Sequence, residues 1–551
     1  MSIKGRDKEF RCTKVSFLEF KHMDMDRLLT MLFPRLKFDG HGNRLLRRKL
    51  LTIKDFRDEF IDKKDWFEGF QDHPDIVYKW LETDLLDLVN RGKDGQAVAA
   101  PRPLHGNTYK FRNTKFARDF SGSEQVYWML YYARHGKGQA VRDALKRFFF
   151  HGYDFLTDKY DQNAVLDVET QALLRLDHQV ERDTKDSRDP DRQPPVCIGR
   201  TDIFADDILR LLAYENHIPR SVLVEYLKTL IAFHLSLYHM ELLELIPGFV
   251  KHEGCNAQCD RQTCPIKENL KECPYRHFFV TDMGSPDNAH LTAMAEQSAE
   301  KVYRKIPAFV AANYKIKKLD ELAEYLQKTH KLSPSQGNEF SLNEIISLSS
   351  GPHAAEKEAY FKFRLTKLVE EATEKSEIVD PEIRSAVKMD LDDFDTFIEI
   401  LMAYRGKYHR QYITECLDSI LLKNKDNGLL VQPTRKKRRF VLGSKLLELL
   451  LQLAVLTQKE NAFVTRELQI EELLVFLYER YGICIDRIPT SSQGSSILEK
   501  RALRLNLEAF KRRLRDIGFY EDLSDAYITQ KITPRYQITR AGQSNSNGGQ
   551  A

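Results

Sequence analysis

Residues 220–246 read RSVLVEYLKTLIAFHLSLYHMELLELI, and this stretch decides the fold. Apolar residues fall on nearly every side of a helix drawn at about 100° per residue, so we predict a long helix buried at the centre of a domain. Pro219 stands directly before it, as is typical of a helix start. Glu225, Lys228 and His234 interrupt the apolar run, which therefore predicts a buried helix and not a membrane span.

A cluster of cysteines follows this helix and predicts a metal site at residues 252–277. The candidate ligands are Cys255, Cys259, Cys264 and Cys273, spaced C-x3-C-x4-C-x8-C, with His252 and His277 as possible substitutes. Four thiolates so close together suit a tetrahedral Zn²⁺ ion, and such a closed site is structural and not catalytic. Pro265 and Pro274 each follow a cysteine, which keeps an iron–sulfur cluster as one alternative. Thiols without a metal, or redox-active cysteines, are the other.

The composition indicates a multidomain helical protein. The chain has 551 residues, enough for three or more domains. Charged residues of both signs make up 30% of it and apolar residues 42%, which is typical of long helices with solvated faces. The first residues lack the apolar core of a signal peptide, so we expect a cytoplasmic protein with no membrane partner. We expect its clustered cysteines to bind metal, its isolated cysteines to be small buried apolar residues, and no disulfides.

Changes in pattern divide the chain into six predicted regions. A loop rich in Gly and Pro near residue 100, a charged stretch at 179–196 and a polar loop near 335 mark the boundaries. The regions are an N-terminal helical region at 1–100, a helical region ending in the charged linker at 101–196, a helical domain with the metal knuckle at 197–335, a further helical region at 336–428, a winged-helix domain at 429–540 and a disordered tail at 541–551.

Residues 429–540 show the pattern of a winged helix-turn-helix. Apolar runs at 429–432 and 440–442 predict short strands on either side of a basic run. Helices are predicted at about 444–457, 467–481 and 498–517, and Gly518 ends the third. Strand-like pieces follow at 527–529 and 536–538. Three helices followed by a β-hairpin is the order of a winged helix, a fold that binds DNA.

The third of these helices carries the clearest nucleic-acid signal. One apolar stripe, which we expect to pack on the two preceding helices, is formed by Leu503, Leu507, Phe510, Leu514 and Ile517. The candidate DNA-binding cations are Lys500, Arg501, Arg504, Lys511, Arg512 and Arg515 on or beside the opposite face, and Arg435, Lys436, Lys437, Arg438 and Arg439 in the basic run. Residues 431–540 hold 20 Lys and Arg against 13 Asp and Glu, whereas the whole chain has a net charge of only +4. This concentration favours DNA as a partner, with a solvated basic helix in a protein-binding winged helix as the alternative.

The sequence contains no catalytic motif that we can assign. It has no phosphate-binding loop, no nucleophile elbow and no H-E-x-x-H zinc motif. We therefore expect a DNA-binding scaffold and no reaction. The alternative hypothesis is an enzyme, a nuclease or other hydrolase with a dispersed acidic site, for which Asp282 is the candidate acid. A third hypothesis is a transcriptional regulator.

One segment resembles known proteins. The runs TDIFADDILRLLAY from residue 201, LKTLIAFHLSLY from residue 227 and VTDMG from residue 280, together with the cysteine cluster, are similar to accessory proteins of multi-gene bacterial anti-phage systems, the methylation-associated defence systems above all. The resemblance implies that the chain works with other proteins of such a system: a methyltransferase, an ATPase and a nuclease encoded elsewhere. No catalytic residue is carried over to this chain from the resemblance.

Overall fold

The protein is mainly helical, as the sequence predicted. The computed structural model describes residues 5–47, 51–62, 67–89, 97–155, 157–161, 163–176, 180–252, 264–266, 269–273, 275–284, 288–335, 337–373, 385–460, 462–488, 496–520 and 531–539. The predicted tail at 541–551 and the strand-like piece at 527–529 lie outside these residues.

The α-helices are α1 (Met25–Lys37), α2 (Ile53–Asp62), α3 (Pro74–Trp80), α4 (Gly122–Tyr132), α5 (Lys137–Phe149), α6 (Val168–Leu174), α7 (Ile198–Leu212), α8 (Arg220–Lys251), α9 (Ala289–Tyr303), α10 (Ile306–Lys328), α11 (Leu342–Ser347), α12 (Ala354–Thr373), α13 (Asp393–Ile420), α14 (Ser444–Ala454), α15 (Ile470–Tyr481) and α16 (Ile497–Asp516). Short 3-10 helices also occur at Gly5–Lys8, Phe70–Asp72 and Gly106–Phe111, and a π-helical segment at Leu81–Leu85.

The strands are short and pair two by two. They are β1 (Asn43–Arg47), β2 (Leu86–Leu88), β3 (Val98–Pro101), β4 (Tyr153–Asp154), β5 (Lys159–Tyr160), β6 (Val180–Lys185), β7 (Phe279–Val280), β8 (Leu430–Val431), β9 (Arg439–Phe440), β10 (Leu456–Lys459), β11 (Ala462–Thr465), β12 (Leu468–Gln469), β13 (Ile483–Cys484) and β14 (Lys531–Ile532). The pairs β1–β6, β2–β3, β4–β5, β8–β9, β10–β11 and β12–β14 are antiparallel, and β7–β13 is parallel.

Helix α8 lies at the centre of the largest core, as its apolar sequence predicted. It packs against α1, α7, α10, α13 and α14, so its side chains are covered on every face along most of its length. It is long and apolar enough to cross a membrane, but 94% of its most apolar window is buried inside the protein. A core helix passes the same test of length and composition, and the burial of α8 accounts for its hydropathy.

The charged stretch predicted as a linker contains the strand β6. Residues 180–185 pair with β1, and the carboxylate of Asp183 accepts hydrogen bonds from Lys37 at 3.3 Å and from Asn43 at 2.7 Å. Its charge is therefore paired within the fold and not left to solvent. The other predicted region boundaries stay predictions, and the largest cluster of buried apolar residues runs from Phe10 to Ile532.

The C-terminal segment is tied to the chain that follows the cysteine cluster. The parallel pairing of β7 with β13 places Phe279 opposite Ile483 and Val280 opposite Cys484. Gly482, which ends α15, has a φ of +82°, and a Cβ atom built there would lie 2.1 Å from the carbonyl oxygen of His277. The close approach of these two backbones therefore requires glycine.

We predict that Gly482→Ala lowers the free energy of unfolding by more than Gly518→Ala does. Gly518 also has a left-handed φ, +75°, but a Cβ atom there would meet nothing within 4 Å. Gly518→Ala should lower the free energy of unfolding by only roughly 1–2 kcal/mol, the strain of placing alanine in the left-handed conformation. Gly482→Ala adds a collision with the backbone at His277, which must move and loosen the β7–β13 pair. Chemical denaturation measures both variants, and equal losses would contradict this account.

Candidate functional site

Helix α16 begins at a capping box that the sequence contains in full. The hydroxyl of Ser496 accepts a hydrogen bond from the backbone N–H of Glu499 at 3.2 Å, and the carboxylate of Glu499 accepts one from the N–H of Ser496 at 2.7 Å. These two bonds satisfy donors that a helix start leaves without intrahelical partners. The start of the helix is thus set locally.

A buried asparagine anchors the middle of α16. The Oδ1 atom of Asn506 accepts a hydrogen bond from the N–H of Met283 at 2.9 Å, and its Nδ2 atom donates to the carbonyl oxygens of Thr281 and Ile485, both at 2.9 Å. Asn288 donates from its side chain to the carbonyl oxygen of Ala502 at 3.0 Å. The helix is therefore held against the segment that follows β7.

Helix α16 has a helical neighbour that we did not predict. The apolar stripe was expected to pack on the helices at 444–457 and 467–481, and Phe510 and Leu514 do belong to the same apolar cluster as side chains of those helices. The helix that lies alongside the backbone of α16, however, is α9. The reason is the pairing of β7 with β13, which inserts the residues after β7 beside α16. Periodicity within α16 predicted which face is buried but carried no information on which distant segment covers it.

The opposite face of α16 presents its cations to solvent. Lys500, Arg501, Arg504, Arg512 and Arg515 are exposed, whereas Lys511 is half-buried, with its Nζ atom 3.8 Å from a Glu508 carboxylate oxygen. Among the described residues, Lys500, Arg501, Arg504 and Arg512 form no ion pair, and the guanidinium of Arg515 lies 5.7 Å from the centre of the Tyr520 ring. Arg513, on the covered side, donates to the carbonyl oxygen of Leu442 at 2.6 Å.

The basic run at 435–439 forms the end of the β8–β9 hairpin, as its flanking strands predicted. Arg435, Lys436 and Lys437 are exposed at the tip. Arg438 donates two hydrogen bonds to Asp418, at 2.9 and 2.8 Å, and lies over the ring of Tyr303. These bonds raise the pKa of Arg438, and its guanidinium is already paired within the protein.

Asp282, the candidate acid of the nuclease hypothesis, accepts hydrogen bonds from other residues of the fold. It is 3% exposed, and its carboxylate accepts a hydrogen bond from the hydroxyl of Thr292 at 3.0 Å and one from the N–H of Gly284 at 2.8 Å. A guanidinium nitrogen of Arg439 lies 3.5 Å from it. No group of three His, Cys, Asp or Glu suited to a metal ion occurs in the part of the chain that the structure describes. Asp282 thus fixes the start of α9 and the base of the hairpin.

Two cysteines of the predicted metal knuckle are described, and both lie beside the central helices. Cys264 and Cys273 are half-buried, and the carbonyl oxygen of Cys264 accepts a hydrogen bond from Arg134 at 3.0 Å. Burial raises the pKa of the Cys273 thiol to about 11, and the charge of Glu241 adds to the shift. Cys255 and Cys259 lie outside the described residues.

The two histidines proposed as substitute ligands occupy different environments. His252 is exposed at the end of α8, whereas His277 is 9% exposed. The Nε2 atom of His277 has no hydrogen-bond partner among the described residues. Burial, followed by the charges of Lys305 and Arg200, lowers the pKa of His277 to about 3, so its imidazole is neutral near pH 7, the state in which it can bind a metal.

A buried charge network, which sequence reasoning missed, joins α15 to α7 and α8. The guanidinium of Arg480 donates to Asp207 at 2.6 and 3.0 Å and to Asp206 at 2.6 Å. Asp207 also accepts from the hydroxyl of Tyr481 at 2.8 Å, and its other contact is His234 Nε2 at 2.9 Å. Asp206 and Asp207 stand side by side in an otherwise apolar helix. Because buried carboxylates require partners, this pattern was the signal in the sequence that could have predicted a buried charge network.

Opposite charges outweigh burial at both acids of this network. Burial alone would raise the pKa of Asp206, but Arg480, Arg210 and Lys137 lower it, and Arg480 with His234 likewise lowers that of Asp207. Both acids are therefore ionised at neutral pH. The network is closed to solvent, so its role is to join the C-terminal segment to the central helices.

We predict that Arg480→Met lowers the free energy of unfolding by roughly 3–5 kcal/mol, because it leaves two buried carboxylates without their main counter-charge. The matched control is Arg487→Met. Arg487 pairs with its neighbour Asp486 and its side chain is 37% exposed, so the loss there should stay below about 1 kcal/mol. Equal losses in the two variants would contradict the assignment.

The same comparison has a pH dependence. The pKa values of Asp206 and Asp207 in the folded state lie below the unfolded value of about 3.9. The pairing with Arg480 therefore contributes its full stabilisation of the folded state above that pH. This contribution is lost as the pH falls through the folded-state pKa values. The stability gap between wild type and Arg480→Met should therefore narrow in acid.

Comparison with known proteins gives one family. The family described as methylation-associated defense system protein MAD7 matches residues 5–536, nearly the whole chain. No curated protein and no solved structure matches it. The match confirms the resemblance seen in residues 201–284 and extends it to both ends of the described fold. The chain therefore belongs to the methylation-associated defense system protein MAD7 family.

Proposed function

We propose that the chain is a cytoplasmic DNA-binding scaffold of a methylation-associated defence system and catalyses no reaction itself. The observation that supports DNA binding best is the outer face of α16, where Lys500, Arg501, Arg504 and Arg512 are exposed and make no ion pair with the described residues. Cations without protein partners keep their full attraction for phosphate groups. The exposed hairpin tip at 435–437 adds a second basic surface.

The strand pairing of the C-terminal segment supports a winged helix. The order is helix α14, the hairpin β10–β11, strand β12, helix α15, strand β13, helix α16, a bridge at Tyr520 and strand β14. Ile532 of β14 pairs with both Leu468 and Tyr520. In the part of the chain that the structure describes, the cations on the outer face of α16 are exposed, as contact with a groove of DNA requires.

The segment also departs from a standard helix-turn-helix. The connection from α15 to α16 runs from Gly482 to Ser496, well beyond the roughly three- or four-residue turn of that motif. It contains β13, so its length allows the contact with β7.

The central helices supply the scaffold. Helix α15 is joined to α7 and α8 by the Arg480 network, and α16 to the residues after β7 by Asn506. A protein that binds DNA at one end and other proteins of its system elsewhere needs such rigid connections, because a flexible joint would not fix their relative positions.

For the arginine face, we predict that Arg504→Ala with Arg512→Ala weakens DNA binding and makes its salt dependence shallower. Two lost phosphate contacts should reduce the slope of log affinity against log salt by about two units. The thermal unfolding temperature should not change, because both side chains are exposed. Binding titrations of a duplex at several salt concentrations measure the effect.

The control for this experiment is Arg57→Ala with Arg147→Ala. It removes the same charge from one half-buried and one exposed helix position in the N-terminal third and should leave the slope unchanged. An unchanged affinity and slope in the Arg504 and Arg512 double variant would mean that this face does not contact DNA.

We further propose that Cys255, Cys259, Cys264 and Cys273 bind one structural Zn²⁺ ion, with an iron–sulfur cluster as the alternative. The positions of the two described cysteines support this proposal. Both lie between α8 and β7, and β7 pairs with β13 of the C-terminal segment. Ordering of this segment by a metal would then help to position β7 against β13.

For this site we predict one zinc per chain by elemental analysis. Cys264→Ser and Cys273→Ser should each lower the zinc content, whereas Cys416→Ser, at a buried cysteine of α13, should not. Visible charge-transfer absorption together with iron would assign the alternative cluster, and the absence of both metals would remove the proposal.

A further inference from the structure

The outer face of α16 also carries apolar side chains, two at its start and one near its middle. Ile497 is 86% exposed, Leu498 63% and Leu505 41%. Ile497 stands in one row with Arg501 and Arg504, at helix spacings of four and seven residues, and Leu498 and Leu505 form a second row seven residues apart. Isolated apolar side chains on a surface are ordinary, but these three share one basic helix face.

Phosphate binding does not explain these residues. Contacts to the DNA backbone come from cations and hydrogen-bond donors, to which Ile497 and Leu498 add nothing. The base edges in the major groove do carry one apolar group, the C5-methyl of thymine. A cytosine methylated at C5 presents the same group at the same ring position.

The other residues of this face suit base edges as well. A guanidinium pairs with guanine and a carboxylate accepts from the amino group of cytosine, and α16 carries Arg501, Arg504 and Glu508 on its exposed side. Ile497 and Leu498 are the first two residues of the helix, and recognition helices contact bases with their N-terminal residues.

We propose that Ile497, Leu498 and Leu505 read the C5-methyl groups of pyrimidines in the major groove, beside Arg501 and Arg504. The proposal rests on the proposed DNA binding by α16 and names the chemical group of DNA that this helix recognises. Thymine and 5-methylcytosine share the chemistry, and the experiment separates them.

The probe is a duplex enriched from a random-sequence pool by binding to the full chain. It is compared with the same duplex carrying deoxyuridine for thymidine, and with one carrying 5-methyldeoxycytidine for deoxycytidine. Each contacted methyl group should change the affinity about fourfold, the effect of burying one such group. The salt slope should stay the same, because no phosphate contact is lost.

Ile497→Ser and Leu498→Ser should reduce the preference for methylated bases. Ile76→Ser is the matched control, since Ile76 is 66% exposed on α3 and belongs to a different part of the chain. A loss with deoxyuridine assigns the contact to thymine, and a gain with 5-methyldeoxycytidine assigns it to methylated cytosine; both support the proposal.

Equal binding of all three duplexes, or an unchanged preference in both serine variants, overturns methyl recognition. If Arg504→Ala with Arg512→Ala still weakens binding in that case, the proposed DNA-binding function stands without it. If the arginine variant also binds like wild type, the proposed function of this face fails together with the inference.

Discussion

The arrangement of this protein depends on one buried guanidinium. Arg480 stands at the end of α15 and neutralises Asp206 and Asp207, two adjacent acids inside α7. Without it, the fold would hold two carboxylates away from water with too few partners, a cost of several kcal/mol. The pairing therefore fixes where the C-terminal helices sit on the central ones.

Two further contacts extend this constraint to α16. The parallel pair β7–β13 follows directly after α15 and brings in the chain that comes after the cysteine cluster. Asn506 then joins α16 to both segments through three hydrogen bonds. Because the inner face of α16 is occupied in this way, its remaining face is presented outward with its cations.

The positive charge of the C-terminal segment is thereby divided into two groups. Arg438, Arg439, Arg480 and Arg513 are used inside the protein, against Asp418, Asp282, the two acids of α7 and a carbonyl oxygen. Lys500, Arg501, Arg504 and Arg512 keep no such partner among the described residues and belong to the surface. The amino-acid composition does not distinguish the two groups. The ion pairs and hydrogen bonds of the folded structure show which cations stabilise the fold and which are free to bind a ligand.

The sequence by itself determined the central helix, the helix boundaries near Ser496 and Gly518 and the outward face of α16, because periodicity and caps act within a few residues. The tertiary structure alone decided that α9 lies beside α16, that residues 180–185 form a strand, and that Arg480 pairs with the acids of α7. Each of these joins residues far apart in the chain, and a local pattern contains no information about which distant segment will supply the partner.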